Sequence, residues 1–219
     1  MRVDLHLMWL DGAPADWEDH LALVAPRYRA KAQGKAPARS RLGEFGAGLL
    51  LASVLGVRSD EGIHLGPEGK PALAAPGPHF NISHDDGLVA LAVGEGSLGV
   101  DLEEVPDTYG EPQNAALRYV LSPDQLSQVE GDGDPALAFA LAWTRVESVL
   151  KADGRGLAYP VRGGHLPPGF HTWAQELAAP GGQRHVVSIS AGQTPEVHMV
   201  WHGMAQVLSA LEGHNSSTT

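Results

Sequence analysis

The chain is 219 residues long, with 15 basic and 26 acidic side chains for a formal net charge of −11. That length allows one large domain or two small halves whose core needs no covalent staples, and the absence of cysteine excludes disulfides, thiol catalysis and thiolate metal sites. The acidic balance argues against general nucleic-acid binding, which rests on many phosphate contacts, and no run approaches the roughly 20 apolar residues that span a bilayer.

Residues 2–9 alternate as a strand, with Val3, Leu5, Leu7 and Trp9 set against Asp4, His6 and Met8. This opening lacks the apolar run of a signal peptide, so a soluble cytoplasmic protein is expected. Residues 14–33 mix apolar and charged groups at helical spacing, and 34–38 read as a Gly/Ala/Pro loop. Six of the 15 basic residues, Arg27, Arg29, Lys31, Lys35, Arg39 and Arg41, fall in one acid-free stretch. Such a patch suits a small phosphorylated ligand better than a polynucleotide; the competing reading is a solvated helix and loop. Residues 39–56 predict a long helix closed by Gly56. After a turn-rich stretch with a short strand at 62–65, strands are predicted near 79–83, 88–93 and 97–104. Gly94-Glu95-Gly96-Ser97-Leu98-Gly99 is a literal G-x-G-x-x-G. It lies between two alternating apolar runs, so it reads as a β-hairpin turn and not as a dinucleotide fingerprint, which must open a helix. A helix over 112–121 follows, then another capped by Ser122-Pro123-Asp124, and Asp134-Pro135 starts the helix that carries Trp143 to Lys151. Strands at 172–177, 185–189 and 197–201 and a final helix over 203–212 complete the chain.

Two segments carry chemistry. Side chains two apart on a strand share a face, so Asp101 and Glu103 of Gly99-Val100-Asp101-Leu102-Glu103 point together while Val100 and Leu102 face the core. Residues four apart on a helix are stacked neighbours, so Trp143, Glu147 and Lys151 form one stripe. If strand and helix pack together, three carboxylates and one ammonium converge. Hard oxygen donors suit Mg²⁺, which takes its remaining ligands from water and phosphate, and the lysine suits the same phosphate. The plainer readings are a solvated strand end, since Pro106 follows closely, and an ordinary Glu–Lys helix pair of about 0.3–0.5 kcal/mol. Against the second, the helix is unusually apolar, and a half-buried carboxylate needs a partner or a metal.

The order Gly69-Lys70-Pro71, Phe80-Asn81-Ile82-Ser83-His84, Gly-Val-Asp-Leu-Glu and Trp143-Thr144-x-x-Glu147-Ser148-x-x-Lys151-x-x-Gly154-x-Gly156-Leu157 resembles the 4′-phosphopantetheinyl transferases. More narrowly, it is similar to their surfactin-synthetase-activating type, a single chain of two similar halves. The resemblance implies an α+β fold: a pseudo-two-fold pair of halves, each a small antiparallel sheet on a long helix, with the active site in the cleft between them. On this basis residues 1–106 form the N-terminal half, 107–212 the C-terminal half and 213–219 a disordered tail. The implied reaction moves the 4′-phosphopantetheine arm of coenzyme A to a serine of an apo carrier protein of fatty-acid, polyketide or peptide-synthetase type, releasing adenosine 3′,5′-bisphosphate. The implied roles are Asp101, Glu103 and Glu147 on Mg²⁺, Lys151 on the pyrophosphate, and Lys70 and His84 on the 3′-phosphate, with Ser83 among the coenzyme A-binding residues. Glu147, directly or through a water, is the implied base, with Asp101 and Lys151 completing the catalytic set. The chain is expected to act as a monomer, without nucleic acid or membrane. For His84 the competing reading is a structural histidine.

Several positions depart from the resemblance. Val146 stands where a lysine is frequent, Gln125 where a glutamate is frequent, and Asp85 where a small residue is usual. The helix over 39–56 lacks arginines in its second half, so coenzyme A contacts fall to Arg39 or Arg41, or to Lys31 or Lys35 upstream. These losses favour one rival, a degenerate homologue that binds coenzyme A or a carrier without catalysis; a second, a metal-dependent hydrolase using His84, Asp85 and Asp86, is disfavoured because three consecutive strand residues cannot all face one metal.

Overall fold

A computed structural model describes residues 1–156, 159–161 and 163–216. The chain opens with strand β1 (Arg2–Trp9). The helical pattern at 14–33 resolves into a 3₁₀ helix (Trp17–Leu23) and helix α1 (Pro26–Ala32). Pro26 divides them, because it donates no backbone N–H and fits best in a first helical turn. Helix α2 (Ala38–Leu55) ends at Gly56, whose φ of 68° is the left-handed conformation glycine adopts without strain. A small hairpin of β2 (Ile63–Leu65) and β3 (Pro71–Leu73) follows, then β4 (His79–His84), β5 (Leu88–Gly94) and β6 (Leu98–Glu104). Next come α3 (Glu111–Val120), α4 (Pro123–Glu130) and the long α5 (Pro135–Asp153). Strands β7 (His171–Ala178), β8 (Arg184–Ala191) and β9 (Glu196–Trp201) lead to α6 (Met204–Ser216). The helix continues through 213–216, which the sequence assigns to a tail; 217–219 and Leu157 lie outside the described residues.

The α+β fold is built from two units of one plan. In the first, β1 is followed by α2 and the antiparallel pair β4–β5, and β5 pairs antiparallel with β1. In the second, β6 is followed by α5 and the antiparallel pair β7–β8, and β8 pairs antiparallel with β6. The strand orders are β4-β5-β1-β9 and β6-β8-β7, with β9 added parallel to β1. By its pairing β6 joins the second unit, since its partner is β8. One sequence expectation needs correction here. The glycines of 94–99 do not turn a hairpin, because β5 and β6 belong to different sheets. Alternation identifies a strand and its buried face but leaves its partner open. After the second unit the chain returns, and β9 and α6 complete the first.

The two sheets pack face to face. Val3, Leu5 and Leu7, with Leu88, Ala90 and Ala92, meet Leu98, Val100 and Leu102 of β6 and Val187, Ile189 and Ala191 of β8. The other face of the first sheet covers α2, where Phe45, Leu49 and Leu50 lie against Met8, Val89 and Leu91. Met204, Val207, Leu208 and Leu211 of α6 join this core. Each fully buried leucine contributes about 1.5–3 kcal/mol, which explains why α2 is apolar on nearly every side. Among the described residues no helix is long and apolar enough to cross a membrane.

Candidate active site

The helix-facing side of the second sheet carries Gly99, Asp101 and Glu103 of β6. A Cβ at Gly99 would collide with Ser148 O and Ala152 N, so glycine lets α5 lie directly on the strand. That approach brings Lys151 down onto Asp101, with Nζ 2.6 Å from Oδ1. Lys151 Nζ also donates to Ser83 Oγ of β4 at 3.0 Å, and Ser83 Oγ donates to Asp101 Oδ1 at 3.1 Å. The neighbouring Asn81 accepts the Val100 N–H at 2.8 Å. The edge of the first sheet is thus tied to β6 through side chains two apart on β4. Residues from both units, Ser83 from one and Asp101 and Lys151 from the other, meet in one knot.

The carboxylates around this knot resist ionisation. Burial raises the Asp101 carboxyl above its usual range despite the Lys151 ammonium. Burial, then the charges of Asp101 and Asp85, push Glu103 up to about 7, with Trp143 and Lys151 opposing. Burial and then Asp101 also raise Glu147, and Lys151 opposes. Glu103 and Glu147 therefore each lie within the field of Asp101. Asp101 Oδ2 is buried with no hydrogen-bond partner. Among the described residues, however, no group of three His, Asp or Glu side chains stands close enough to hold a metal ion. The orphaned Asp101 oxygen suits a hard cation, with Glu103 and Glu147 the carboxylates whose charges it shares a field with, but the three side chains are not drawn together as a binding group in this structure.

The expected coenzyme A residues divide into several groups. His84 points away from Ser83, towards α2, where the lack of a Cβ at Gly43 makes room for its ring. His84 Nε2 stands 3.6 Å from Glu44 Oε1, and Lys31 Nζ lies 3.0 Å from the same oxygen. Burial favours the neutral form of Glu44, but His84 and Lys31 outweigh it and hold the carboxyl below its usual range. Arg27, Tyr28, Lys31, Asn81 and His84 line a cavity of about 600 Å³. Arg39 and Arg41 do not line it: Arg39 pairs with Asp11 at 2.6 Å and Arg41 with Glu18 at 2.8 Å. Lys70 lines a different cavity of about 760 Å³. Its ammonium donates to Leu98 O at 2.9 Å and Ala152 O at 3.4 Å, joining the start of β6 to the end of α5. Burial pushes that ammonium down to about 8, with Asp153 opposing.

The unusual Asp85 turns out of the site. Its Oδ1 accepts the Gly87 and Leu88 N–H groups, both at 2.8 Å, closing the β4–β5 turn. Its Oδ2 lies 2.6 Å from Nδ1 of His185, which is 1% exposed. His185 was not identified from the sequence, and an isolated histidine in an apolar strand gives no local sign of a partner a hundred residues away. Gln125 and the buried Val146, the other unusual pair, line one cavity of about 510 Å³ between α4 and α5.

Residues 97–186 match the sequence model of the 4′-phosphopantetheinyl transferase superfamily. This segment, less than half of the chain, is what resembles that superfamily. It runs from the start of β6 into β8 and contains all four of Asp101, Glu103, Glu147 and Lys151, whereas Lys70, Ser83 and His84 precede it. The chain is similar to the 4′-phosphopantetheinyl transferase of Bacillus subtilis, 33% identical over 97 residues that make up 42% of this chain and 41% of the relative. It is likewise similar to the 4′-phosphopantetheinyl transferase AcpT of Salmonella typhimurium, 33% identical over 93 residues, 41% of this chain and 47% of the relative. The matches thus span less than half the length of these relatives. The matched segment coincides closely with the second structural unit, and Ser83 of the first unit reaches directly into its carboxylate cluster.

Proposed function

We propose that this chain is a 4′-phosphopantetheinyl transferase of the surfactin-synthetase-activating type, moving the phosphopantetheine arm of coenzyme A to a serine hydroxyl of an apo carrier protein. The observation that carries the reading is the Ser83–Asp101–Lys151 knot, with Asp101 Oδ2 orphaned beside Glu103 and Glu147. The reaction replaces one phosphorus–oxygen bond with another. The serine oxygen bonds to the phosphorus that bears the pantetheine. The bond from that phosphorus to the oxygen of the departing adenosine 3′,5′-bisphosphate breaks, and the serine proton needs an acceptor.

The residues divide this work. Lys151 Nζ donates to the pyrophosphate, exchanging its contacts with Asp101 and Ser83 for charge-assisted bonds to phosphate oxygens. Its ammonium opposes the negative charge that grows on the leaving phosphate. Glu147, on the same helix face and raised by burial, takes the serine proton directly or through a water. Asp101, Glu103 and Glu147 would hold Mg²⁺, which supplies charge neutralisation and orientation of the phosphates when bound. Lys31 and His84, whose shared contact with Glu44 leaves them in one cavity with Arg27, suit the 3′-phosphate end. The substrate carriers are of fatty-acid, polyketide or peptide-synthetase type, and the chain works as a cytoplasmic monomer.

The test is intact-mass measurement of apo carrier proteins incubated with this protein, coenzyme A and Mg²⁺, beside Asp101→Ala and Lys151→Ala. A phosphopantetheine mass gain with the unmodified protein and its loss in both variants is the expected result. Retained coenzyme A binding with no mass gain on any carrier type would overturn it in favour of a binding protein without catalysis.

A further inference from the structure

Helix α5 sits on the second sheet through a row of hydroxyls. Thr144 and Ser148, one turn apart on α5, and Ser188 and Ser190, two apart on β8, are all fully buried. Thr144 Oγ1 lies 2.8 Å from Ser188 Oγ, and Ser148 Oγ lies 2.8 Å from Ser190 Oγ. Thr172 Oγ1 of β7 extends the row, 2.8 Å from Ser190 Oγ. On the helix side the row is closed by Thr144 Oγ1 donating to Ala140 O at 2.7 Å and Ser148 Oγ donating to Arg145 O at 3.1 Å. The strand register places Ser188 opposite Asp101 and Ser190 opposite Gly99. The row therefore runs beside the two β6 residues that receive Lys151 and the helix backbone.

Buried hydroxyls contribute little net stability when paired, and replacing both partners with apolar groups of similar shape is close to neutral. Hydrocarbon would bury this face equally well, yet it would let α5 slide or turn, because apolar contact is non-directional. An oxygen–oxygen bond fixes both distance and direction. The positions one residue before Ser148 and one before Ala152 are Glu147 and Lys151. We infer that Thr144, Ser148, Ser188 and Ser190 are positioning residues that set the axial register of α5 over β6, and thereby hold Glu147 and Lys151 over Asp101. They touch no substrate. The inference rests on the transferase reading for its kinetic consequence, but its structural claim stands apart from it.

The test compares Thr144→Val with Ser188→Ala, Ser148→Ala with Ser190→Ala, and the hydroxyl-retaining Thr144→Ser. Thr144→Val with Ser188→Ala removes both partners of a bond, so its urea midpoint stays near that of the parent, whereas Ser148→Ala with Ser190→Ala also leaves Thr172 Oγ1 without its partner and lowers the midpoint somewhat. The expected kinetic result is a fall in kcat of about tenfold to 100-fold in the double variants, with KM for coenzyme A little changed and Thr144→Ser like the parent. A second readout is the fluorine NMR resonance of 5-fluorotryptophan at Trp143, assigned with Trp143→Phe and followed through a Mg²⁺ titration. The double variants should show a displaced or broadened Trp143 resonance and require more Mg²⁺ to shift it. If a double variant does not fold, Ser148→Ala alone carries the same readouts, because Ser190 keeps its bond to Thr172. Parent-like kcat and a parent-like Trp143 titration in the folded variants would overturn the inference. Failure of the parent itself to modify any carrier would overturn the transferase reading instead, while the Trp143 signal would still decide the register claim.

Discussion

At the scale of single residues, the site is a balance of like charges. Glu103 shows it best, because its carboxyl is pushed up to about 7 by burial and by the neighbouring Asp101 and Asp85. An unfolded glutamate ionises near 4.3, so the sign is determined. Below about pH 4 both states are protonated and the group costs nothing. As pH rises towards 7, the unfolded chain gains the ionised form and the folded chain resists it, so stability is lost across that window and is level above it. With a chelator present, Glu103→Gln should therefore be more stable than the parent at pH 8 and equal to it at pH 4, as measured by urea denaturation. Added Mg²⁺ should narrow the difference at pH 8; an unchanged difference would remove Glu103 from the metal set. A second prediction concerns the cavity shared by Val146 and Gln125. Val146 is 2% exposed, so Val146→Lys should cost about 3 kcal/mol or more by burying an unpaired charge. Adding Gln125→Glu should restore about 1 kcal/mol through coupling. Gln125 already caps α4 by accepting the Ser122 N–H at 3.0 Å, a role glutamate also fills. A double-mutant cycle with no coupling would show that the two positions do not communicate.

At the scale of elements, the contact of α5 with β6 decides whether there is a site. Gly99 is the closest point, where any Cβ meets the Ser148 and Ala152 backbone. Gly99→Ala should lift the helix from the strand, costing about 1–3 kcal/mol by overpacking, and should reduce transfer far more than it reduces stability, because a misplacement of about 1 Å costs on the order of 100-fold in rate. Parallel measurement of urea midpoint and kcat would separate the two effects. The strand face of Asp101 and Glu103 and the helix face of Glu147 and Lys151 were legible from periods of two and 3.6. The glycine was legible as part of the same motif, and its reason, a helix lying on the strand backbone, came from the packing. The protein partners of Lys70 and His84 are not legible in the sequence: Lys70 bonds the carbonyls of Leu98 and Ala152, and His84 faces Glu44. No sequence pattern announces a backbone carbonyl as a partner.

At the scale of the molecule, two units share one core and exchange pieces. The cluster between the sheets draws on β1, β5, β6 and β8 together, and the buried Asp85–His185 pair joins the β4–β5 turn of one unit to β8 of the other. His185→Leu would leave Asp85 Oδ2 without its partner and should lower stability by about 1–3 kcal/mol. Because the core is shared, unfolding followed by tryptophan fluorescence and by far-UV circular dichroism should remain one coincident transition; two separate transitions would show that the units fold independently. Most of the elements and the faces of β6 and α5 were determined by the sequence alone, since periodicity, capping and glycine placement are local properties of the chain. The partner of each strand, the passage from one sheet to the other at residues 94–99, the return of β9 and α6 to the first unit and the meeting of Ser83 with Asp101 were decided only by the tertiary structure. Burial of apolar faces is non-directional, so many pairings satisfy the same local pattern, and the choice among them is made where the whole core closes.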